Sequence, residues 1–325
     1  MKQLLKISFL FVIIGFVMIA LFYIKNNESF ISVMNKVVIS EYESGLYSKW
    51  DLELVKSEVS LNKNVKAILI NAKYIDVQIS ENIDTVKVEY YNFPGIMATT
   101  EPLNEEMYSL YFTYPKYQIV FNKNLKEYQR VKVTVPKNYQ FEHFWVNGQE
   151  INIDGINSNV LMILPIDYNG KGYINLSNLN VNEGTIMTNI KEIDVKNSKI
   201  NNLKINCPDL KLKIDNVKGD NLSFGSVTSK DTLVEYLKDY KDSNQKVDAV
   251  LNKVEFKNYG FYSRNLSVKM NNGVSLNDYY FKMNSVNGTN TINNKKYENN
   301  YESTNYENSK YKIETVSTRT SLQIN

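Results

Sequence analysis

The feature that most constrains this chain is a succession of very short apolar–polar alternations, from about residue 65 to the C-terminus. Val65–Ile70, Tyr74–Ile79 and Thr85–Tyr90 each place alternate residues on one face, as half-buried strands do. Met107–Thr113, Tyr117–Phe121 and Arg130–Val135 continue the pattern, with Pro94, Pro102, Pro115 and Pro136 falling between the runs. Beyond about residue 140 the runs shorten to Ile151–Ile153, Val160–Leu164, Tyr173–Leu176, Ile193–Val195, Leu203–Ile205, Leu210–Ile214 and Leu222–Phe224. Several start roughly ten residues apart. A triplet carries only one or two inward residues, too few for an independent hairpin, so it buries enough surface only when coil stacks on coil. Asn-Gly, Asp-Gly and Lys-Gly pairs at 147–148, 154–155, 169–170, 218–219, 272–273 and 287–288 supply residues that tolerate positive φ at tight corners. Asparagines repeated at corners are expected to form amide ladders up such a stack. The expected fold is mainly β: a β-solenoid of stacked short strands over 51–325.

Two segments depart from the alternation. Ser229–Leu251 sets Leu233, Tyr236, Leu237 and Tyr240 on one helical stripe, and predicts a helical insertion over 229–251. Residues 295–311 are rich in Tyr, Asn and Glu, and repeat a Tyr-Glu-polar unit at Tyr297, Tyr301 and Tyr306. Uneven spacing keeps these three off a single strand or helix face. They are the expected contacts of a ligand-binding loop, because Tyr offers a large contact area at low entropic cost.

The N-terminus carries a separate signal. Ile7 to Ile24 is an uncharged run of eighteen residues flanked by Lys2, Lys6 and Lys25, about 27 Å of helix and close to the hydrocarbon thickness of a bilayer. It ends in Ala20-Leu21-Phe22-Tyr23, without a small-x-small cleavage site or a following Cys, which predicts an uncleaved signal anchor at 1–25. The Lys distribution predicts a cytoplasmic N-terminus, a stalk at 26–50 and an extracytoplasmic domain beyond it. The expected partners are the lipid bilayer and an unidentified surface polymer or protein.

Composition narrows the chemistry. Lys+Arg is 38 against Asp+Glu 35, a net charge of +3, and only Arg130, Arg264 and Arg319 are arginines. That is not the concentrated basic face of a nucleic-acid binder, so no nucleic-acid partner is expected. One Cys and one His exclude an intrachain disulfide and a Cys/His metal cluster. His143 lies among aromatics as a packed or rim residue. Ser243-Asn244-Gln245-Lys246 fits S-x-x-K without its companion motifs. Asp76, Asp154, Asp194 and Asp215 fall on separate coils, and Cys207 is expected to be a small core hydrophobe. No catalytic residue, metal or cofactor is expected.

The run YIDVQISENIDTVKVEYY (Tyr74 to Tyr91) resembles the opening of a bacterial putative-adhesin family. Val131 to Gly155 is similar to that family's strand, Pro and Asn-Gly-punctuated coils, and Tyr311 to Asn325 resembles its C-terminal coil. This chain has Ser317-Thr318-Arg319-Thr320 where the family commonly has a small residue and Gly. The resemblance implies a β-solenoid at the surface or envelope and supplies no catalytic residues. Three functions follow as expectations: an adhesin-like surface binder first, an accessory or sensor in envelope stress acting through a membrane partner second, and a carbohydrate-active β-helix enzyme third.

Overall fold

The computed structural model describes residues 38–42, 45–49, 55–92, 97–113, 118–120, 125–164, 171–226 and 245–325. Ile7–Ile24 and residues 229–244 of the expected insertion lie outside them. Among the described residues no helix is long and apolar enough to cross a membrane. They are mainly β and divide into two compact units.

The first unit holds the described residues up to Ser57, together with Tyr90–Ala98 and Phe112–Gln129. Part of the expected stalk is strand here. Val38–Tyr42 pairs antiparallel with Gly45–Lys49 on one side and Gln118–Val120 on the other. Edge-on ring contacts, Tyr90 on Phe112 at 5.1 Å and Tyr91 on Tyr128 at 5.3 Å, pin its remaining segments.

The second unit, Glu58–Glu89, Thr99–Tyr111 and Arg130–Asn325, is built by parallel, in-register stacking. Glu150–Asp154 lies on Tyr173–Ser177, which lies on the first half of Glu192–Asn206, then Leu210–Gly225, then Lys246–Tyr262. Partners one rung apart are separated by 23 residues and then by 19. One step is 37 residues, because the chain between Ser226 and Gln245 is inserted without disturbing the register on either side. The insertion therefore ends before the bound of 251 expected for it. Lys246–Leu251 is strand, with Val247, Ala249 and Leu251 in the core.

Period two does the sorting. Ile151, Ile174, Ile193, Leu212, Ala249 and Val268 form one buried column, and Phe144, Leu161, Leu203, Leu222 and Tyr259 belong to another. Each fully buried large aliphatic contributes about 1.5–3 kcal/mol. Corners are set by positive φ: Gly155 at 79°, Asn178 at 55°, Asn197 at 47°, Asn216 at 55° and Lys253 at 52° occupy equivalent positions in successive coils. The outward asparagines form the expected ladders, and they do so along strands as well as at corners. Asn216 donates to Asn197 at 2.9 Å, Asn201 to Asn182 at 3.0 Å, Asn175 to Asn152 at 3.0 Å and Asn271 to Asn252 at 2.7 Å.

The rung order at both ends departs from the chain order. Tyr74–Ser80 is slotted between Arg130–Pro136 and Glu150–Asp154. Arg130 reaches from its rung to Asp76 at 2.7 Å and to Glu150 at 3.6 Å, and its guanidinium lies 5.7 Å from the Tyr74 ring. At the other end the last strand, Tyr311–Ile324, is slotted between Lys246–Asn271 and Tyr279–Ile292. Antiparallel segments cover both outer edges. Lys87–Glu89 lies against Arg130–Pro136, and Lys295–Tyr297 with Asn300–Glu302 lies against Tyr279–Ile292. Such cover withdraws open strand edges from pairing with another chain.

Candidate functional site

Residues 295–311, expected to be a loop, are that edge cover. Two three-residue strands and a 3-10 turn at Tyr306–Asn308 leave little free chain. Tyr297 and Tyr301 are brought together, with ring centroids 4.3 Å apart. Both are half-buried, and burial raises the Tyr301 phenol above its usual range. Tyr306 belongs elsewhere. It is 53% exposed and sets its ring edge-on to Tyr280 at 5.0 Å. Lys312 donates to its hydroxyl at 2.7 Å. The three tyrosines therefore do not form one contact surface.

Tyr280 and Lys312 lead from Tyr306 to a depression of about 370 Å³ on the outer face of the last coils. Its floor lies where two small residues, Ser223 and Gly260, are paired on adjacent rungs, with Glu314 on the next. A Cβ on Gly260 would sit 2.6 Å from the Tyr262 hydroxyl, so Tyr262 folds across a position that only glycine leaves open. Tyr262 supplies aromatic surface, while Tyr280, only 7% exposed, is buried against Tyr306. The amide rung of Asn258 on Asn221, at 2.8 Å, supplies hydrogen-bonding groups, and Lys282, Lys312 and Glu314 supply charge. Burial, helped by the neighbouring Glu314 carboxylate, pushes the Tyr262 phenol up to about 12. Burial and a hydrogen bond donated to Glu302 push the Tyr280 phenol up to about 12 as well. A few polar groups converging beside aromatic faces are what a pocket needs to orient a polar ligand.

Sequence reasoning singled out Tyr306 only as part of a loop, and missed this site with its Tyr262, Tyr280, Gly260 and Lys312. Alternation alone put Tyr262 on the outer face. Tyr280 shares a column with Asn258 two rungs away, with Lys312 of the slotted last strand paired between them, and no local signal encodes that order.

The other candidate groups disperse. His143 packs against Trp145 with centroids 5.4 Å apart. Asp76 and Asp194 share one outward column, but Asn152 and Asn175 separate them; Ser177 and Lys196 separate Asp154 from Asp215 in the next column. Asp76 is already engaged by Arg130 and Asn152, each at 2.7 Å. Lys246 pairs with Asp248 at 2.8 Å, and Ser243 is outside the described residues. Among the described residues no three His, Cys, Asp or Glu side chains are grouped to hold a metal ion. Cys207 is buried, and burial pushes its thiol up to about 11.

No family model matches the chain, and no curated protein matches it. Two solved structures align over 84% of it. One is a putative cell adhesion protein from Clostridium sporogenes, at 11% identity, 99% of its own length and a TM-score of 0.24. The other is a putative adhesin from Parabacteroides merdae, at 9% identity, 96% of its length and a TM-score of 0.33. At TM-scores this low the likeness bears on neither fold nor function.

Proposed function

We propose that this protein is a single-pass, membrane-anchored surface protein whose β-solenoid binds a glycan-like polymer of the envelope or of another surface. The anchor is Ile7–Ile24, with the N-terminus cytoplasmic and the stacked coils outside the cell. Binding is non-enzymatic and needs no cofactor. The observation that carries the reading is the depression at Gly260, where tyrosine faces, an asparagine amide rung and charges of both signs meet on one open surface. Aromatic faces suit the C–H surface of a sugar ring, and amides pair with hydroxyls as donor and acceptor together. Tyr306 stands beside the depression, and Tyr297 and Tyr301 lie apart from it on the edge cover.

The test is binding of the purified protein to whole cells and to isolated envelope polymer. Tyr262→Ala and Tyr306→Ala are expected to weaken binding at least tenfold while the β-sheet circular dichroism is retained. Unchanged binding in both variants would remove the depression from the account. Turnover of the polymer, abolished by replacing Glu302 or Glu314, would replace the binding reading with an enzymatic one.

A further inference from the structure

A second surface lies at the positive-φ corners. There the chain turns inward for one residue after each corner, so Val217 and Val254 drop into the core. The exposed residues on either side of them form two walls. One wall carries Asn197, Asn216 and Lys253, and the other Lys199, Lys218 and Glu255. The result is a groove of about 780 Å³ crossing five successive coils, from Asn178 to Asn272. At about 4.8 Å per rung it runs for about 19 Å along the stack.

Three cations line this groove against one carboxylate. None of Lys199, Lys218 and Lys253 forms an ion pair with a described residue. Neither do Lys204, Lys213 and Lys269 on other faces, whereas Lys191, Lys196, Lys211, Lys246 and Lys257 do. What distinguishes the groove is that its three unpaired lysines line one concave surface. Asparagines recur along the groove at the rung spacing, at Asn178, Asn197, Asn216 and Asn272, with Lys253 at the remaining step; Asn216 donates to Asn197 at 2.9 Å. Repeated groups at constant spacing, with an excess of positive charge, suit a ligand that itself repeats. Lysine grips acidic groups as a point charge and without the bidentate geometry of arginine, so it tolerates either phosphate or carboxylate.

We infer that this corner groove is a binding site for a linear polyanion lying along the coil axis. It is separate from the tyrosine-lined depression, and the inference stands whether or not that depression binds glycan.

The experiment titrates the purified full-length chain with polygalacturonate, polyphosphate and neutral dextran at several salt concentrations. Either polyanion is expected to bind and dextran to bind at least tenfold more weakly; which polyanion binds assigns carboxylate or phosphate chemistry. The K199Q/K218Q/K253Q triple variant should lose at least tenfold in affinity. It should also reduce the slope of log affinity against log salt by about 2–3. The K199R/K218R/K253R variant should retain binding, which separates loss of charge from loss of fold. A control triple elsewhere on the stack, K204Q/K213Q/K269Q, should leave affinity within twofold. Absence of binding to both polyanions, equal binding of dextran, or an equal loss in the control triple would each overturn the inference.

Discussion

Asn216 sits at φ 55° and donates its side-chain amide to Asn197 at 2.9 Å, so it serves the stack in two separable ways. An ordinary L-residue held in the left-handed region costs about 1–2 kcal/mol, a penalty that Asn largely escapes and Gly does not meet. The exposed rung hydrogen bond contributes about 0.5–1 kcal/mol. Asn216→Ala loses both and should cost about 2 kcal/mol, lowering the melting temperature by roughly 4–8 °C for a unit of this size. Asn216→Gly loses only the rung and should cost about half as much. Lys253 occupies the equivalent corner at φ 52° without Asn's advantage. Lys253→Asn should therefore raise the melting temperature by roughly 2–4 °C. Thermal melts of the three variants, followed by circular dichroism at 218 nm or so, decide the matter. Equal losses for Ala and Gly would show that positive φ is not what Asn provides, and a destabilised Lys253→Asn would contradict the corner account outright.

Three further outcomes follow from the same structure. Gly260→Ala should push the Tyr262 ring out of the depression and weaken glycan binding with little change in melting temperature, because the clashing atoms are the free end of a side chain. Asp76→Ala leaves the half-buried Arg130 without its nearest acceptor and should cost about 2–3 kcal/mol, read as a lower urea midpoint at unchanged slope. Tyr262 and Tyr280 are both raised from about 10 in the unfolded chain to about 12. The folded state thus holds their protons more tightly, so stability should be level below pH 10 and fall as pH rises toward 12. A melting temperature that holds level from pH 10 to 12 would count against the buried phenols.

The strands were legible because alternation is local. Met107–Thr113 coincides with its apolar–polar run, and Ile193, Val195, Leu203 and Ile205 all face the core as their spacing predicts. The corners were legible only in part: Gly155 and Gly273 take the positive φ expected of their pairs, whereas Gly148, Gly219 and Gly288 do not, and the stacked corners at Asn178, Asn197, Asn216 and Lys253 carry no Asn-Gly signal. Rung order was not. Inward and outward positions of Tyr74–Ser80 are encoded in its residues, but its place between two later strands depends on which neighbours complete the core. The edge cover escaped notice because Lys295–Tyr297 and Asn300–Glu302 have no buried face, and so show no alternation to read. The tyrosine site inherits that limit. Tyr306 was visible as an exposed aromatic in a polar stretch, whereas its neighbour Tyr280 came into view only with the slotted final strand.

The most direct test of the binding account is oxidative footprinting of the protein with and without isolated envelope polymer. Tyr306, 53% exposed beside the depression, should be strongly modified in the free protein and protected on binding, with Tyr262 and Tyr280 less reactive throughout. Tyr173, on another face of the coils, should not change. Protection of Tyr173 with Tyr306 left unprotected would contradict the account.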